Sequence, residues 1–226
     1  MRSDGDGWSV KLTILYGGTF DPVHAGHLAV ADAAATCFDV DVALLPAADP
    51  PHRPPPGADA SQRATMLDLA VVGHPRLRVD RRELHRTGPS YTVDTLAQAR
   101  SQLGVQAPLA WLLGADAFAG LPRWHRWREL FDLAHLIVAS RPGHGLEALD
   151  PELRTATEHR WTTDPAALHR SPCARLFRLD LPLRPEAASD LRARIAAGDR
   201  WQDETPPAVA AYIGAQRLYQ RHRLPS

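Results

Sequence analysis

Residues 17–27 read Gly-Gly-Thr-Phe-Asp-Pro-Val-His-Ala-Gly-His, and they separate an apolar run at 12–16 from an alanine-rich stretch at 28–35. The apolar run is typical of a buried strand, and the stretch that follows the motif is typical of a helix. Two glycines at the end of a strand let the backbone approach a ligand without side-chain interference. The pattern therefore predicts a strand, a glycine turn and a helix, with a ligand site at the turn.

Two histidines, His24 and His27, stand three residues apart where the predicted helix begins, so both can project to one side of its first turn. A helix N-terminus presents unpaired N–H groups and a positive dipole end, which suits a phosphate. Imidazoles there add donors that can take up a proton as negative charge grows. An ordinary tight turn with surface histidines is one alternative. A zinc site is another, but no Cys or His cluster elsewhere supplies obvious further ligands. The whole string in its context favours a nucleotide triphosphate site.

The composition narrows the classes of protein. With 226 residues, 44% of them hydrophobic, the chain can form one large domain, or one domain with a small appendage. Lys+Arg and Asp+Glu both number 26, so no net charge draws the chain to nucleic acid or to a membrane. Lys11 is the sole lysine, which excludes a phosphate-loop NTPase. The two cysteines, Cys37 and Cys173, are too few for a disulfide scaffold. No signal peptide or apolar span is evident, so we expect a cytoplasmic protein.

Strand and helix signals alternate along the chain, as in a parallel sheet covered by helices. The predicted strands are 12–16, 42–45, 77–80 with an extension toward Leu84, 109–113 and 135–139, and regular patterning resumes at 175–181. The predicted helices are 26–37, 61–72, 92–103, 127–134, 189–197 and 206–219, and residues 141–175 are predicted to be irregular. We predict a doubly wound α/β fold with residues 1–10 as an extension, 11–183 as the α/β domain and 184–226 as a small helical portion.

In a doubly wound sheet, ligands bind beyond the carboxyl ends of the strands, near the point where the strand order reverses. Four segments rich in Gly, Pro, His, Arg or Asp follow predicted strands, namely 17–27, 46–54, 114–116 and 140–143. Since the carboxyl ends of parallel strands meet at one edge of the sheet, we expect these segments to line one cleft.

At this point the chain resembles a known family. Residues 17–27 match the signature of the nucleotidyltransferases that carry a His-x-Gly-His motif, and the chain is more closely similar to bacterial nicotinate-nucleotide adenylyltransferases. Segments that fit the narrower family in order are 50–54, 62–67, 89–92, 114–116, 134–138 and 141–143. The resemblance extends from about Leu12 to Tyr219 and implies a Rossmann-like nucleotidyltransferase fold.

The resemblance implies that the adenylyl group of ATP is joined to nicotinate mononucleotide, which releases pyrophosphate and nicotinate adenine dinucleotide. It also implies Mg²⁺ accompanying ATP and no covalent bond between a side chain and substrate. Because the phosphate of the mononucleotide is the nucleophile, catalysis needs mostly positioning and charge neutralisation. His24 and His27 are the implied catalytic donors. The implied ATP contacts are Gly17, Gly18, Thr19, Phe20, Gly26, Gly114, Asp116, Ser189 and Arg192.

The resemblance also implies a second set of residues facing the mononucleotide, namely His52, Arg53, Tyr91, Thr92, Trp124 and Arg141. N–H groups at the predicted helix start beside Tyr91 can hold the nicotinate carboxylate, and Trp124 is implied to stack on the pyridine ring. Alternatives remain for each group. His52 and Arg53 can be a solvated basic loop, and Ser90 or Thr92 can be a plain helix cap. Trp124 and Trp127 can both be core residues, and for Trp127 we expect that role.

One stretch departs from the family pattern. The family carries Ile-Ser-Ser/Ala-Thr/Ser-x-x-Arg at a helix start that holds ATP phosphates, whereas residues 186–192 read Glu-Ala-Ala-Ser-Asp-Leu-Arg. Ser189 and Arg192 remain, and the first hydroxyl is replaced by Ala187. Losing one neutral hydrogen bond costs on the order of 1 kcal/mol, so we expect a working phosphate site with Ser189 as a helix cap.

Other functions fit parts of the sequence. Phosphopantetheine adenylyltransferases share the first motif, but they are typically shorter and lack the Pro-Ser-Tyr-Thr segment at 89–92. A class I aminoacyl-tRNA synthetase fragment also has paired histidines, but its second, lysine-rich signature is missing here. A non-catalytic nucleotide-binding protein is supported only by the altered 186–192 stretch. The sequence leaves the oligomeric state open.

Overall fold

A single parallel sheet organises the chain in the computed structural model, which describes residues 11–48, 57–86, 88–140, 149–182 and 187–220. Over these ranges seven strands run in the order β3-β2-β1-β4-β5-β7-β6, and every neighbouring pair is parallel. The strands are β1 (Thr13–Gly18), β2 (Val42–Pro46), β3 (Leu77–Val79), β4 (Leu109–Gly114), β5 (His135–Ser140), β6 (Trp161–Thr162) and β7 (Leu176–Asp180). The order reverses between β1 and β4, so the edge where these two strands end is the expected ligand crevice.

Helices cover both faces of the sheet. They are α1 (Ala25–Phe38), α2 (Ala60–Ala70), α3 (Thr92–Leu103), α4 (Ala115–Ala119), α5 (Leu130–Leu133), α6 (Pro151–Thr157), α7 (Ala188–Ala197) and α8 (Pro207–Ala215). Apolar side chains of α1, α2, α7 and α8 pack on one face with Ile14 and Leu112. Those of α3, α4, α5 and α6 pack on the other face with Leu15 and Trp111. Alternating residues of each buried strand therefore supply two cores.

The predicted doubly wound α/β fold is confirmed, and most predicted elements lie within a few residues of the observed ones. Three details were wrong. Residues Arg82–His85 form a 3-10 turn rather than an extension of β3, because Glu83 turns inward and is buried. The predicted helix at 127–134 is a 3-10 turn, Trp127–Glu129, followed by the four-residue α5. The last predicted helix ends at Ala215 instead of at Tyr219.

Two regular elements lie inside the segment predicted to be irregular. α6 begins after Asp150, whose side chain accepts a hydrogen bond from the Glu152 N–H, and Pro151 occupies its first turn. The short β6 then pairs with β7. The helix start was visible in the Asp-Pro-Glu sequence, but the short helix has little apolar periodicity. The predicted extension 1–10 and the predicted boundary at 183/184 lie outside the described residues.

Candidate active site

The two motif histidines lie at the start of α1, at the carboxyl end of β1. His24 is the N-cap residue, 6% exposed, with extended backbone angles, and its carbonyl accepts hydrogen bonds from the N–H groups of His27 and Leu28. The two imidazole rings are stacked, with centroids 3.8 Å apart and planes 33° apart. The strand, turn and helix predicted around them are confirmed, and both imidazoles lie at the positive end of a 14-residue helix.

A hydrogen bond fixes how the His27 ring is protonated. Its Nδ1 accepts from the backbone N–H of His24, at 3.4 Å. In the neutral imidazole the proton is therefore on Nε2, which makes Nε2 the donor. The ring also meets the Phe20 ring edge-on, with centroids 5.0 Å apart. His27 is thus held on two sides with one nitrogen committed to the backbone.

The two glycines at the end of β1 have a packing reason that the sequence did not show. A Cβ on Gly17 would lie 2.0 Å from a ring carbon of Trp111, on the neighbouring strand β4. A Cβ on Gly18 would lie 3.0 Å from the Phe20 ring. Glycine at both positions lets aromatic rings pack on the backbone beside the site. The predicted approach of ATP to this backbone stays a prediction.

The β1–α1 loop, residues 19–24, is held by a side chain from α2 that was not among the predicted site residues. Arg63 is 1% exposed and donates to three carbonyl oxygens. Its Nη1 lies 2.7 Å from the Thr19 oxygen, its Nη2 3.1 Å from that of Ala48, and its Nε 3.2 Å from that of Ala58. The guanidinium therefore joins the loops that follow β1 and β2. The arginine within the 62–67 segment was the available signal in the sequence, but its burial and its partners are set only in the fold.

Asp21 is the second residue of this loop that the prediction missed. Its carboxylate is 5% exposed and accepts hydrogen bonds from the backbone N–H groups of Gly57 and Ala58, at 2.8 and 3.1 Å. The Tyr219 hydroxyl donates to the same carboxylate at 2.7 Å. A carboxylate with this many donors is structurally committed, which is how a buried charge is stabilised.

Arg192, from the altered 186–192 stretch, binds the β1–α1 loop, and its contact with ATP phosphates stays a prediction. Arg192 Nη1 donates to the Asp21 carbonyl at 2.6 Å and lies 3.6 Å from the Asp21 carboxylate. Ser189 does not cap α7. The N-cap residue is Ala187, which has no side-chain oxygen, and the exposed Ser189 hydroxyl donates to Asp190 at 3.3 Å. The cap prediction was wrong because α7 begins one residue earlier than predicted.

The start of α3 lies across the sheet edge from α1. Tyr91 is its N-cap residue and Thr92 its first helical residue, so the predicted helix start is confirmed. Ser90 is not the cap, since its oxygen accepts from the N–H of Ala48, at 3.1 Å, after β2. Ser90 also donates to the buried carboxylate of Glu83. The N-terminus of α3 is therefore tied to the loop that leads from β2 toward residue 50.

Glu83 lies beneath this helix start. The Thr95 hydroxyl, on α3, donates to its Oε1 at 2.6 Å. Arg86 in turn donates to the Thr95 oxygen at 3.1 Å. Burial raises the pKa of Glu83, while the hydrogen bonds from Thr95 and Ser90 act in the opposite direction. Sequence reasoning missed this group because the preceding strand was extended through it.

An aromatic group lines the same side of the cleft. Trp124 is half-buried and packs against the core face that carries α3. Exposed His125 stacks on Tyr91, with centroids 4.4 Å apart and planes 34° apart. Trp127 is a core residue, 6% exposed, as expected. Stacking of Trp124 on a pyridine ring stays a prediction.

The remaining predicted site residues divide into two groups. Gly114 ends β4 as the N-cap of α4, and Asp116 is exposed in the first turn of that helix, so both lie at the expected edge. His52, Arg53 and Arg141 lie outside the described residues. Among the residues that are described, no group of three or more His, Cys, Asp or Glu side chains is arranged to hold a metal ion.

Comparison with known proteins identifies the family. Residues 15–182 match the model of the Cytidylyltransferase-like family. The "Probable nicotinate-nucleotide adenylyltransferase" of Stenotrophomonas maltophilia (strain K279a) is 55% identical over 217 residues, covering 93% of this chain and 98% of that protein. The chain belongs to the nicotinate-nucleotide adenylyltransferase family. The protein of the same name from Xylella fastidiosa (strain M12) is 49% identical and covers 94% of this chain and 98% of its own length.

A solved structure shares the fold of this adenylyltransferase family member. It is the Plasmodium falciparum nicotinic acid mononucleotide adenylyltransferase complexed with NaAD, with a TM-score of 0.71 and 16% identity. The match covers 92% of this chain and 97% of the other. No helix in the described part of the chain is long and apolar enough to cross a bilayer.

Proposed function

We propose that this adenylyltransferase joins the adenylyl group of ATP to nicotinate mononucleotide, giving nicotinate adenine dinucleotide and pyrophosphate. The observation that carries the proposal is the stacked His24–His27 pair at the N-terminus of α1, beside the point where the strand order reverses. Two relatives that are 55% and 49% identical to this chain, over nearly their whole length, are named for this activity. With ATP as a substrate, we place the reaction in the cytoplasm.

The chemistry needs charge stabilisation more than proton transfer. A phosphate oxygen of the mononucleotide attacks the α-phosphorus of ATP, and the bond from that phosphorus to the bridging oxygen breaks with its electrons leaving on pyrophosphate. Negative charge grows on the α-phosphate oxygens and on the leaving group. His27 Nε2 supplies a donor whose tautomer is set by the His24 N–H, and the helix N-terminus adds its dipole. His24 supplies the second imidazole of this stacked pair.

Recognition of the acceptor is assigned to the start of α3 and to Trp124. The first N–H groups of a 12-residue helix favour an anion, so we propose that those beside Tyr91 and Thr92 hold the nicotinate carboxylate. The ties from Ser90 to Ala48 and Glu83 hold this helix start in place relative to β2. Half-buried Trp124 offers a ring face for the pyridine.

Phosphate and metal are assigned to the other side of the cleft. Arg192 lies against the β1–α1 loop with 39% of its side chain exposed, so its remaining N–H groups can reach ATP phosphates. Mg²⁺ commonly binds through phosphates, water and one or two carboxylates. The donor set fits that mode, since the exposed Asp116 can offer one carboxylate and the described residues form no protein-built cage. The ion would neutralise phosphate charge.

Acceptor choice tests the proposal. We expect pyrophosphate release when the protein is mixed with ATP, Mg²⁺ and nicotinate mononucleotide, at a higher kcat/KM than with nicotinamide mononucleotide. The physical reason is that only nicotinate offers an anion to the start of α3. Equal or better use of the amide would show that this helix end is wrongly assigned. If pyrophosphate is released with phosphopantetheine but with neither mononucleotide, the protein belongs to another adenylyltransferase class. If none of these acceptors supports pyrophosphate release, the proposal is refuted.

A further inference from the structure

Two side chains near the C-terminus donate hydrogen bonds to the backbone of the β1–α1 loop. Arg192 donates to the Asp21 carbonyl at 2.6 Å, across a sequence separation of 171 residues. The buried Thr205 hydroxyl donates to the Val23 carbonyl at 3.0 Å, across 182 residues. With Arg63 on Thr19, every second carbonyl from 19 to 23 is held by a side chain from outside the loop.

Tyr219 adds a third contact from the same end of the chain. Its hydroxyl lies 2.7 Å from Asp21 Oδ1. Burial raises the pKa of the Tyr219 phenol, and the neighbouring Asp21 charge raises it further, so the hydroxyl stays protonated and donates. After α8 ends, Tyr219 takes a left-handed backbone conformation with φ 62°, which a tyrosine rarely adopts unless its surroundings hold it there.

The Tyr219 ring packs against the backbone of Gly57, which has no side chain. A Cβ placed on Gly57 would lie 2.8 Å from the ring, closer than packed carbon atoms tolerate. The same Gly57 donates its N–H to Asp21 at 2.8 Å. The ring, the glycine and the carboxylate therefore form one packed unit behind the loop.

The loop that these contacts hold is itself strained and touches the catalytic histidine. Phe20 has a left-handed backbone with φ 50°, a conformation that persists in a bulky residue when surrounding contacts determine it. Its ring packs edge-on against His27, with centroids 5.0 Å apart. A shift of Asp21 or Val23 would be transmitted to Phe20 on one side and to His24 on the other.

We propose that Arg192, Thr205 and Tyr219, here called the C-terminal clamp, position the β1–α1 loop and through it the His24–His27 pair. Tyr219 and Thr205 are positioning residues, since they contact Asp21 and Val23. Transferring an adenylyl group depends on the placement of charge-stabilising donors, and a displacement of about 1 Å can cost on the order of 100-fold in rate. The C-terminal helical portion therefore helps to assemble the active site.

The kinetic test rests on the proposed function and uses variants that remove only a donor. Tyr219→Phe keeps the ring and Thr205→Val keeps the shape. We expect each to lower kcat about tenfold or more, because hydrogen bonds to charged or buried groups are costly to lose. Tyr212→Phe, on α8, is the matched control and should keep full kcat. In a His27→Ala background the Tyr219→Phe effect should largely vanish, since the clamp acts through that imidazole.

A spectroscopic test stands apart from the reaction. In ¹⁵N-histidine-labelled full-length protein, Tyr219→Phe should shift the ring signals of His24 and His27 and leave those of His135, at the amino end of β5, in place. Tyr212→Phe should shift none of them. If the wild-type protein shows no adenylyl transfer, the proposed function is wrong, but the histidine signals still test the clamp. Unchanged His24 and His27 signals, or an effect on kcat that persists in full without His27, would overturn the clamp.

Discussion

Two arginines, the buried Arg63 and the partly buried Arg100, both bind backbone carbonyls at opposite edges of the sheet, and only one of these edges carries the candidate site. Arg63 binds carbonyls that follow β1 and β2, at the carboxyl ends of the strands. Arg100, on α3, binds carbonyls that precede strands, at the amino ends. Its Nη2 donates to Pro172 at 2.9 Å and its Nε to Leu133 at 3.2 Å. Burial lowers the pKa of both guanidinium groups from the usual arginine value.

One histidine lies at each of these edges, the fully buried His135 and the partly buried His27, and their contacts differ. His135, at the start of β5, is fully buried, with Nε2 donating to the Ser171 carbonyl at 2.8 Å and Nδ1 accepting from the Arg175 N–H at 3.0 Å. Both nitrogens are bound to main chain, so the imidazole serves the fold. His27 accepts a hydrogen bond from the His24 N–H at Nδ1 and lies at a helix N-terminus. The two rings therefore differ in burial and in place: His135 is enclosed at the amino end of β5, and His27 lies partly exposed at the carboxyl end of β1.

The largest expected effect is on turnover. His27→Ala should lower kcat about 100-fold or more, because it removes the donor that we propose stabilises charge in the transition state. Binding of ATP should weaken less than turnover falls. Steady-state kinetics and ATP titration of the same preparation measure both. The free energy of unfolding should change little, since His27 is only partly buried; a variant with near-normal kcat would remove His27 from catalysis.

His135 should show the opposite behaviour, in stability. Burial lowers its pKa to about 4, with a smaller contribution from the nearby Arg100 charge, whereas an unfolded histidine has a pKa of about 6.5. As the pH falls from 6.5 to 4, His135 becomes protonated in the unfolded chain but stays neutral in the folded chain. The free energy of unfolding therefore falls by about 3 kcal/mol across that pH range. In His135→Gln, which cannot titrate, this part of the pH dependence should disappear.

Urea unfolding of the wild type and His135→Gln at pH 7 and at pH 4.5 measures that difference. Because other groups titrate as well, the quantity compared is the change in free energy of unfolding between the two pH values. Equal changes in both proteins would mean that the imidazole is not held neutral. The kcat of His135→Gln at neutral pH should match the wild type wherever the variant remains folded.

The smallest expected effects separate the two arginines. Arg63→Lys and Arg100→Lys each keep the charge but lose the fork that reaches several carbonyls, so each should destabilise the fold by about 2 kcal/mol. Arg63→Lys alone should also lower kcat/KM, by about tenfold, since it frees the Thr19 and Ala48 carbonyls beside the site. Assays below the unfolding temperature of both variants make the comparison. A similar loss of kcat/KM in Arg100→Lys would contradict the separation of the two ends.

Much of the fold was predictable because strands and helices follow from local patterns. The run at 12–16, the motif glycines and the helix of His24 lie together in sequence, so their arrangement needed no distant partner. The errors fall where a distant contact overrides the local pattern. Glu83 leaves the strand because Thr95 and Ser90 supply partners for its carboxylate. The last helix ends early, and Tyr219 then reaches Asp21.

The sequence by itself determined the family, the doubly wound α/β class and the place of the His24–His27 pair, because residues 17–27 encode strand, turn and helix within one short stretch. Tertiary structure alone decided what holds that stretch. Gly17 is needed for the Trp111 ring on β4, and Asp21 gathers donors from Gly57, Arg192 and Tyr219. Such contacts join residues up to 198 positions apart, and no local periodicity reports which of many possible partners will meet.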